Sequence, residues 1–169
     1  MKSKHRTAAR GKRHLVTTSG LLDTLFAAPD KPMPADKRRH QLTRMYGGLH
    51  AMETAPNPSA DDWRVVSDAV NLMETLVVDM KVCEDASGLL QDAVAALALA
   101  GARHLEDGKP IRLNAADIQT VRAVLADYSA LLETLSERTM TECHRRTERR
   151  IAEINRGHAQ AHDVRVVAV

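Results

Sequence analysis

Aromatic residues are almost missing from this chain: Phe26, Tyr46, Trp63 and Tyr128 make up 2% of its 169 residues. A core built without them must come from Leu, Val, Met and Ala, which suits helices better than a β-sandwich. Cysteine is as scarce. Cys83 and Cys143 stand in no metal-ligand spacing, and both fall in apolar helical stripes where Cys acts as a small hydrophobe, so reduced thiols in a cytoplasmic protein are expected. Long apolar runs are missing too. Val94 to Ala102 is the most apolar stretch, against the roughly 20 residues a bilayer needs, so no membrane partner is expected. Asp23 interrupts the apolar run that follows the basic N-terminus, which argues against a secretory signal.

Catalytic and cofactor motifs are also lacking. There is no P-loop, Rossmann glycine pattern, Gly-x-Ser-x-Gly or Cys-x-x-Cys. His158 and His162 are four apart but lie beyond Gly157 in a polar tail, so no metal site is expected there. Cys143 and His144 are adjacent, and on a helix they point about 100° apart, too far for a dyad. Asp61-Asp62 and Glu84-Asp85 read as helix-start charges. The chain is therefore expected to be no enzyme and to need no cofactor.

What the sequence does have is segregated charge. Residues 1–44 hold eleven Lys/Arg against three acids, residues 53–137 six against fifteen, and residues 138–156 six against three. Lys2, Lys4, Arg6, Arg10, Lys12 and Arg13 form a basic arm with little apolar content, expected to be flexible in isolation over residues 1–16. Such an arm would bind phosphate backbones in a salt-dependent, sequence-blind way. Lacking aromatics, it is poorly suited to stacking on single-stranded bases.

Hydrophobic periodicity then lays out an all-α chain. Leu21 to Ala28 reads as a short helix stopped by Pro29. Pro34 opens a helix whose apolar face is Leu42, Met45, Leu49 and Met52 and whose basic face is Lys37, Arg38, Arg39 and Arg44. The apolar spacing continues across Gly47-Gly48, which implies close packing or a bend. Ser59 with Asp62 signals a new start after Pro56-Asn57-Pro58. Trp63, Val66, Val70, Met73, Val77 and Met80 then step by 3 and 4 along a deeply buried helix. An Ala-rich helix follows from about Ser87 to Glu106, with Leu90, Val94, Leu97, Gly101 and Leu105 facing inward. Val70, Met73, Leu97 and Leu125 are expected to be almost wholly buried.

The last segment is read as one helix from Asn114 to about Arg156, uninterrupted by Pro or Gly and roughly 60 Å long at 1.5 Å per residue. Its first seam is Ile118, Val121, Leu125, Tyr128, Leu132 and Leu135. A second seam, Met140, Cys143, Thr147, Ile151 and Ile154, begins one residue out of step, which turns the apolar line by about 100°. A thin seam flanked by charge suits a partner helix or a homodimer, so those five residues are the expected protein-binding surface. Arg145, Arg146, Arg149 and Arg150 join the basic arm as candidate nucleic-acid contacts. The expected architecture is an all-α helical bundle with one long protruding C-terminal helix and a basic N-terminal arm. Residues 17–156 form the domain, with a core from 59–135 and a distal helix from 136–156, and residues 157–169 form a tail.

Trp63-x-x-Val66-x-x-Ala69-Val70-Asn71-Leu72, the Ala-rich helix ending Arg103-His104-Leu105-Glu106-Asp107-Gly108, and Leu113-Asn114 before a long helix resemble small helical proteins of proteobacterial phages and mobile elements. Some of those are labelled transcriptional regulators. The resemblance covers under half the chain and no site residue. It implies a setting in which small proteins bind and block host machines, anti-CRISPR inhibitors among them. The leading expectation is a non-enzymatic inhibitor or regulator of a host nucleoprotein complex, and the alternative is a DNA- or RNA-binding regulator using the arm and the distal helix.

Overall fold

The computed structural model describes residues 31–156, and these are all-helical. The five α-helices are α1 (Ala35–Thr54), α2 (Ala60–Glu74), α3 (Leu90–Asp107), α4 (Ala115–Leu132) and α5 (Glu137–Asn155). One π-helical turn, Thr75–Asp79, continues α2. The basic arm, the Leu21–Ala28 segment, the two tail histidines and the apolar C-terminus lie outside the described residues.

Local chemistry sets most of the boundaries. At the start of α2 the Ser59 hydroxyl accepts from the Asp62 amide at 3.1 Å and the Asp62 carboxylate accepts from the Ser59 amide at 3.0 Å, a reciprocal capping box. Asn114 caps α4 by accepting from the Asp117 amide at 2.8 Å. The Asp85 carboxylate accepts from the Leu90 amide at 3.0 Å, so it does serve a helix start, that of α3. Gly108 ends α3 at φ +63°, a left-handed conformation that glycine takes without strain.

Helix α2 is the central element. It packs against α1, α3, α4 and α5, while α4 also meets α1 and α3. Two glycines permit the close approaches. A Cβ on Gly48 would lie 2.8 Å from the Asp62 carbonyl oxygen, so α1 meets the start of α2 backbone to backbone. A Cβ on Gly101 would lie 2.7 Å from the Trp63 ring, whose Nε1 donates to the Leu97 carbonyl at 2.9 Å. Val70, Met73, Leu97 and Leu125 are all buried, as expected from their spacing.

Three expectations are corrected. The final segment is two helices, not one. Helix α4 stops at Leu132, the chain turns through Glu133–Leu135, and Ser136 caps α5 by accepting from the Thr139 amide at 3.1 Å. The one-residue slip between the seams is the signature of that turn, which lets α5 fold back instead of projecting. A short extended stretch pins the turn: Met33 donates to the Leu135 carbonyl at 3.2 Å, and Glu137 to the Lys31 carbonyl at 2.8 Å. Second, the helix from Ser59 loses α geometry at Thr75, so Val77 and Met80 are only half-buried. Third, Leu105 faces solvent, because the inward side of α3 is completed by Leu90, Ala93, Leu97 and Ala100.

Candidate functional site

The expected protein-binding seam lies largely inside the molecule. Met140, Cys143 and Thr147 are buried, while Ile151 and Ile154 are half-buried beside them. The sequence left no segment free to cover this seam. The end of α2 and the π turn cover it instead, with Met140 and Cys143 joining the apolar core and polar contacts beside them. Thr147 and Thr75 share a hydrogen bond between hydroxyls at 2.7 Å, and the Cys143 thiol donates to the Leu72 carbonyl at 3.4 Å. Burial pushes that thiol up to about 11. Arg150 also turns inward. Its guanidinium pairs with Glu74 at 2.6 Å and Asp79 at 3.5 Å and donates to the Asn71 carbonyl at 3.3 Å. Arg146 donates to the Asp79 carbonyl at 3.4 Å. Two arginines thus neutralise the negative end of the α2–π helix. Three of the five seam residues therefore cannot face a partner in this fold, and Arg150 is committed to the interior.

With the front of α5 docked, its back carries cations. Successive residues step by 100°, which places Arg138, Arg145, Arg149 and Arg156 on one line opposite Thr147. All four are exposed. The line spans roughly 27 Å at 1.5 Å per residue. Arg145 and Arg146 both pair with Glu142, the latter at 2.8 Å, and such exposed pairs hold their cations only weakly. Arg138 and Arg149 make no ion pair among the described residues. The six cations of the basic arm lie outside the described residues, so the structure does not bring them to this line.

A groove of about 590 Å³ runs beside α5, between it and α1. Lys37, His40 and Arg44 form the α1 wall, His144 stands on the α5 side, and Val65, Asp68, Ala69 and Leu72 of α2 make the floor. The wall follows from the spacing 37, 40, 44 on one helix, which gathers three basic side chains. Gln41 of the same wall is fixed by its hydrogen bond to the buried Tyr128 hydroxyl. Lys37 is tied to Glu137 at the head of α5, and this ion pair raises its pKa. Desolvation raises the Asp68 carboxyl above its ordinary range, while Arg64, His144 and Arg44 pull it down. His40 and Asp68 were not singled out from the sequence, and His144 was considered only as a partner of Cys143. The first could have been found from its place between Lys37 and Arg44, whereas His144 meets the groove only because α5 folds back.

Charge is divided between elements. Helix α1 carries four Lys/Arg against two acids and α5 five against four, while residues 55–136 carry six against thirteen. The cations of α1 line the groove, where Asp68 stands among them, while the arginine line of α5 faces about 100° or more round that helix from His144. Among the described residues no three His, Cys, Asp or Glu side chains are grouped to hold a metal, and no helix is long and apolar enough to cross a membrane. No protein-family model matches the chain, and neither a curated protein nor a solved structure matches it.

Proposed function

We propose that this chain is an interaction protein that contacts nucleic acid through phosphates, acting as a regulator or inhibitor of a nucleoprotein complex rather than as an enzyme. The observation that carries this reading is the exposed line of Arg138, Arg145, Arg149 and Arg156 on the outward side of α5, with the cationic wall of α1 across the groove. Four arginines on one rigid helix can each meet a phosphate oxygen, and their positive field favours approach of a polyanion over an acidic protein surface. Few aromatics stand beside them, which favours backbone contact over base stacking. The basic arm adds six cations and would strengthen the same sequence-blind binding. The resemblance to phage and mobile-element proteins supplies the setting, a host machine that already holds nucleic acid.

Fluorescence anisotropy with labelled duplex DNA and duplex RNA at about 50 mM salt tests the reading. Saturable binding that weakens steeply with salt is expected, and no binding to either would reject it.

A further inference from the structure

Helices α1 and α5 each pack on α2 but not on each other, and among the described residues no helix fills the groove between them. Met45, Ala69 and Leu72 lie at its base, with Val65 half-buried at its edge. Its two walls run in the same direction. Lys37 meets Glu137 at one end, and seven residues further along each helix Arg44 and His144 flank Asp68. A trough about 10 Å long, walled by two helices and floored by a third, has the shape that accepts one short helix.

The chain itself enters at one end of this trough. The Lys31 carbonyl accepts from the Glu137 amide and the Met33 amide donates to the Leu135 carbonyl, so the stretch running back from Met33 to Lys31 leads from the α4–α5 turn to the Lys37–Glu137 pair. The other groove of α1, lined by Arg38, Leu42 and Leu132, lies on the α4 side, where Arg38 donates to the Glu133 carbonyl at 3.3 Å. The chain before Lys31 therefore starts from the head of the α1–α5 trough and away from the α1–α4 one.

Only Pro29 and Asp30 separate Lys31 from residues 21–28, whose sequence reads as a short helix. Eight helical residues rise about 12 Å, which matches the trough. At 100° per residue Leu21, Leu22, Leu25 and Phe26 fall within about 140°, one apolar face, and Asp23 borders it beside Phe26. Asp23 is the only charged residue of that span. We propose that residues 21–28 dock as a helix in the α1–α5 groove, antiparallel to both walls, with Leu22 and Leu25 on the α2 floor. The two-residue link sets this direction. It brings Asp23 level with the stretch from His40 to Arg44, where both walls carry donors for a second carboxylate beside Asp68: His40 and Arg44 on α1, His144 on α5. So short a link makes docking intramolecular at high effective concentration, and a small apolar contact suffices. Docking also ends the segment near His144, only residues 14–20 from the basic arm. Seven extended residues span up to about 23 Å, so, on the reading of α5 as a phosphate-binding helix, the arm's cations come within reach of its arginine line.

Hydrogen exchange of the full chain, read by mass spectrometry over residues 21–28, tests this without nucleic acid, so its outcome is separate from that of the phosphate-binding reading. The amides of residues 25–28 should exchange at least about tenfold more slowly than in a free peptide of the same sequence. Leu22→Asp with Leu25→Asp, and separately Val65→Glu on the groove floor, should each return them to the free-peptide rate while the amides of α2 keep their protection. Where Val65→Glu loosens α2, Arg44→Glu on the exposed wall takes its place and should speed the exchange about threefold. A segment unprotected in the parent would overturn the proposal. So would protection indifferent to the groove variants, which would seat the segment elsewhere. Protection that grows with protein concentration from about 1 to 200 µM would also overturn it, since a second copy would then be the partner.

Discussion

The Arg150 guanidinium stands 2.6 Å from the Glu74 carboxylate, with both side chains largely withdrawn from water, one on α5 and the other at the last α-helical turn of α2. That pair joins the two elements expected to lie apart. It decides which side of α5 faces inward and so which arginines face out. A buried ion pair adds little net stability when both partners are present, but removing one leaves the other charged and unpaired.

Arg150→Ala should therefore cost about 3–5 kcal/mol in thermal or denaturant unfolding, more than any of the exposed arginines. The Cys143 thiol gives a local reading of the same event. It is fully buried in the parent and should resist a thiol reagent, whereas Cys83 is partly exposed and should react first. In Arg150→Ala the Cys143 rate should rise as α5 loosens. Equal rates for both thiols in the native parent would mean that α5 is not docked.

Gly101→Ala should destabilise the chain by about 1–3 kcal/mol although alanine is the better helix former, because the added Cβ meets the Trp63 ring. Leu97→Ala beside it should cost about 2–5 kcal/mol through the cavity it leaves. Denaturant midpoints, together with the fluorescence of the one tryptophan, follow both. A neutral or stabilising Gly101→Ala would place Trp63 elsewhere.

Asp68 gives the chain a defined pH response. Its pKa is raised in the folded state, so between the unfolded value near 3.8 and the higher folded value the native chain binds the extra proton. Stability from this group is therefore greatest at low pH and is lost as pH rises through the folded pKa. Asp68→Asn should raise the melting temperature near pH 7 and have no such benefit near pH 3, below both values. A variant less stable than the parent near neutral pH would show that the carboxylate is held by its cationic neighbours instead.

Much of this fold was legible in the sequence, and what was missed shares one cause. The Ser59–Asp62 cap, the Asn114 cap, the buried face of α1 and the core positions Val70, Met73, Leu97 and Leu125 follow from local spacing and capping chemistry, which act within one helix. The turn at Glu133–Leu135 contains no Gly or Pro, so composition gives no sign of it. Its trace is the phase slip between the seams, which an uninterrupted helix and a tight turn both produce. The choice between them rests on long-range contacts: Lys31 and Met33 bonding to the turn, and Thr75 and Glu74 meeting Thr147 and Arg150. The π turn at Thr75–Asp79 is hidden for the same reason, since its apolar residues keep α-helical spacing. The arginines of α5 were legible as charge but not as a surface. Which of them face outward depends on how the helix docks, and that separates Arg149 from Arg150 although they are neighbours.

The most direct measurement is the salt dependence of duplex binding by three full-length chains: the parent, one with Arg138, Arg145 and Arg149 changed to Ala, and one with Lys2, Lys4, Arg6, Arg10, Lys12 and Arg13 changed to Ala. For B-DNA the slope of log affinity against log salt is about 0.9 per phosphate neutralised. The α5 variant should keep the parent's melting temperature, bind at least about tenfold more weakly at low salt and lose roughly two to three units of slope. Affinity and slope unchanged in the α5 variant, with both lost in the arm variant, would contradict the account and leave the folded domain without a part in the contact.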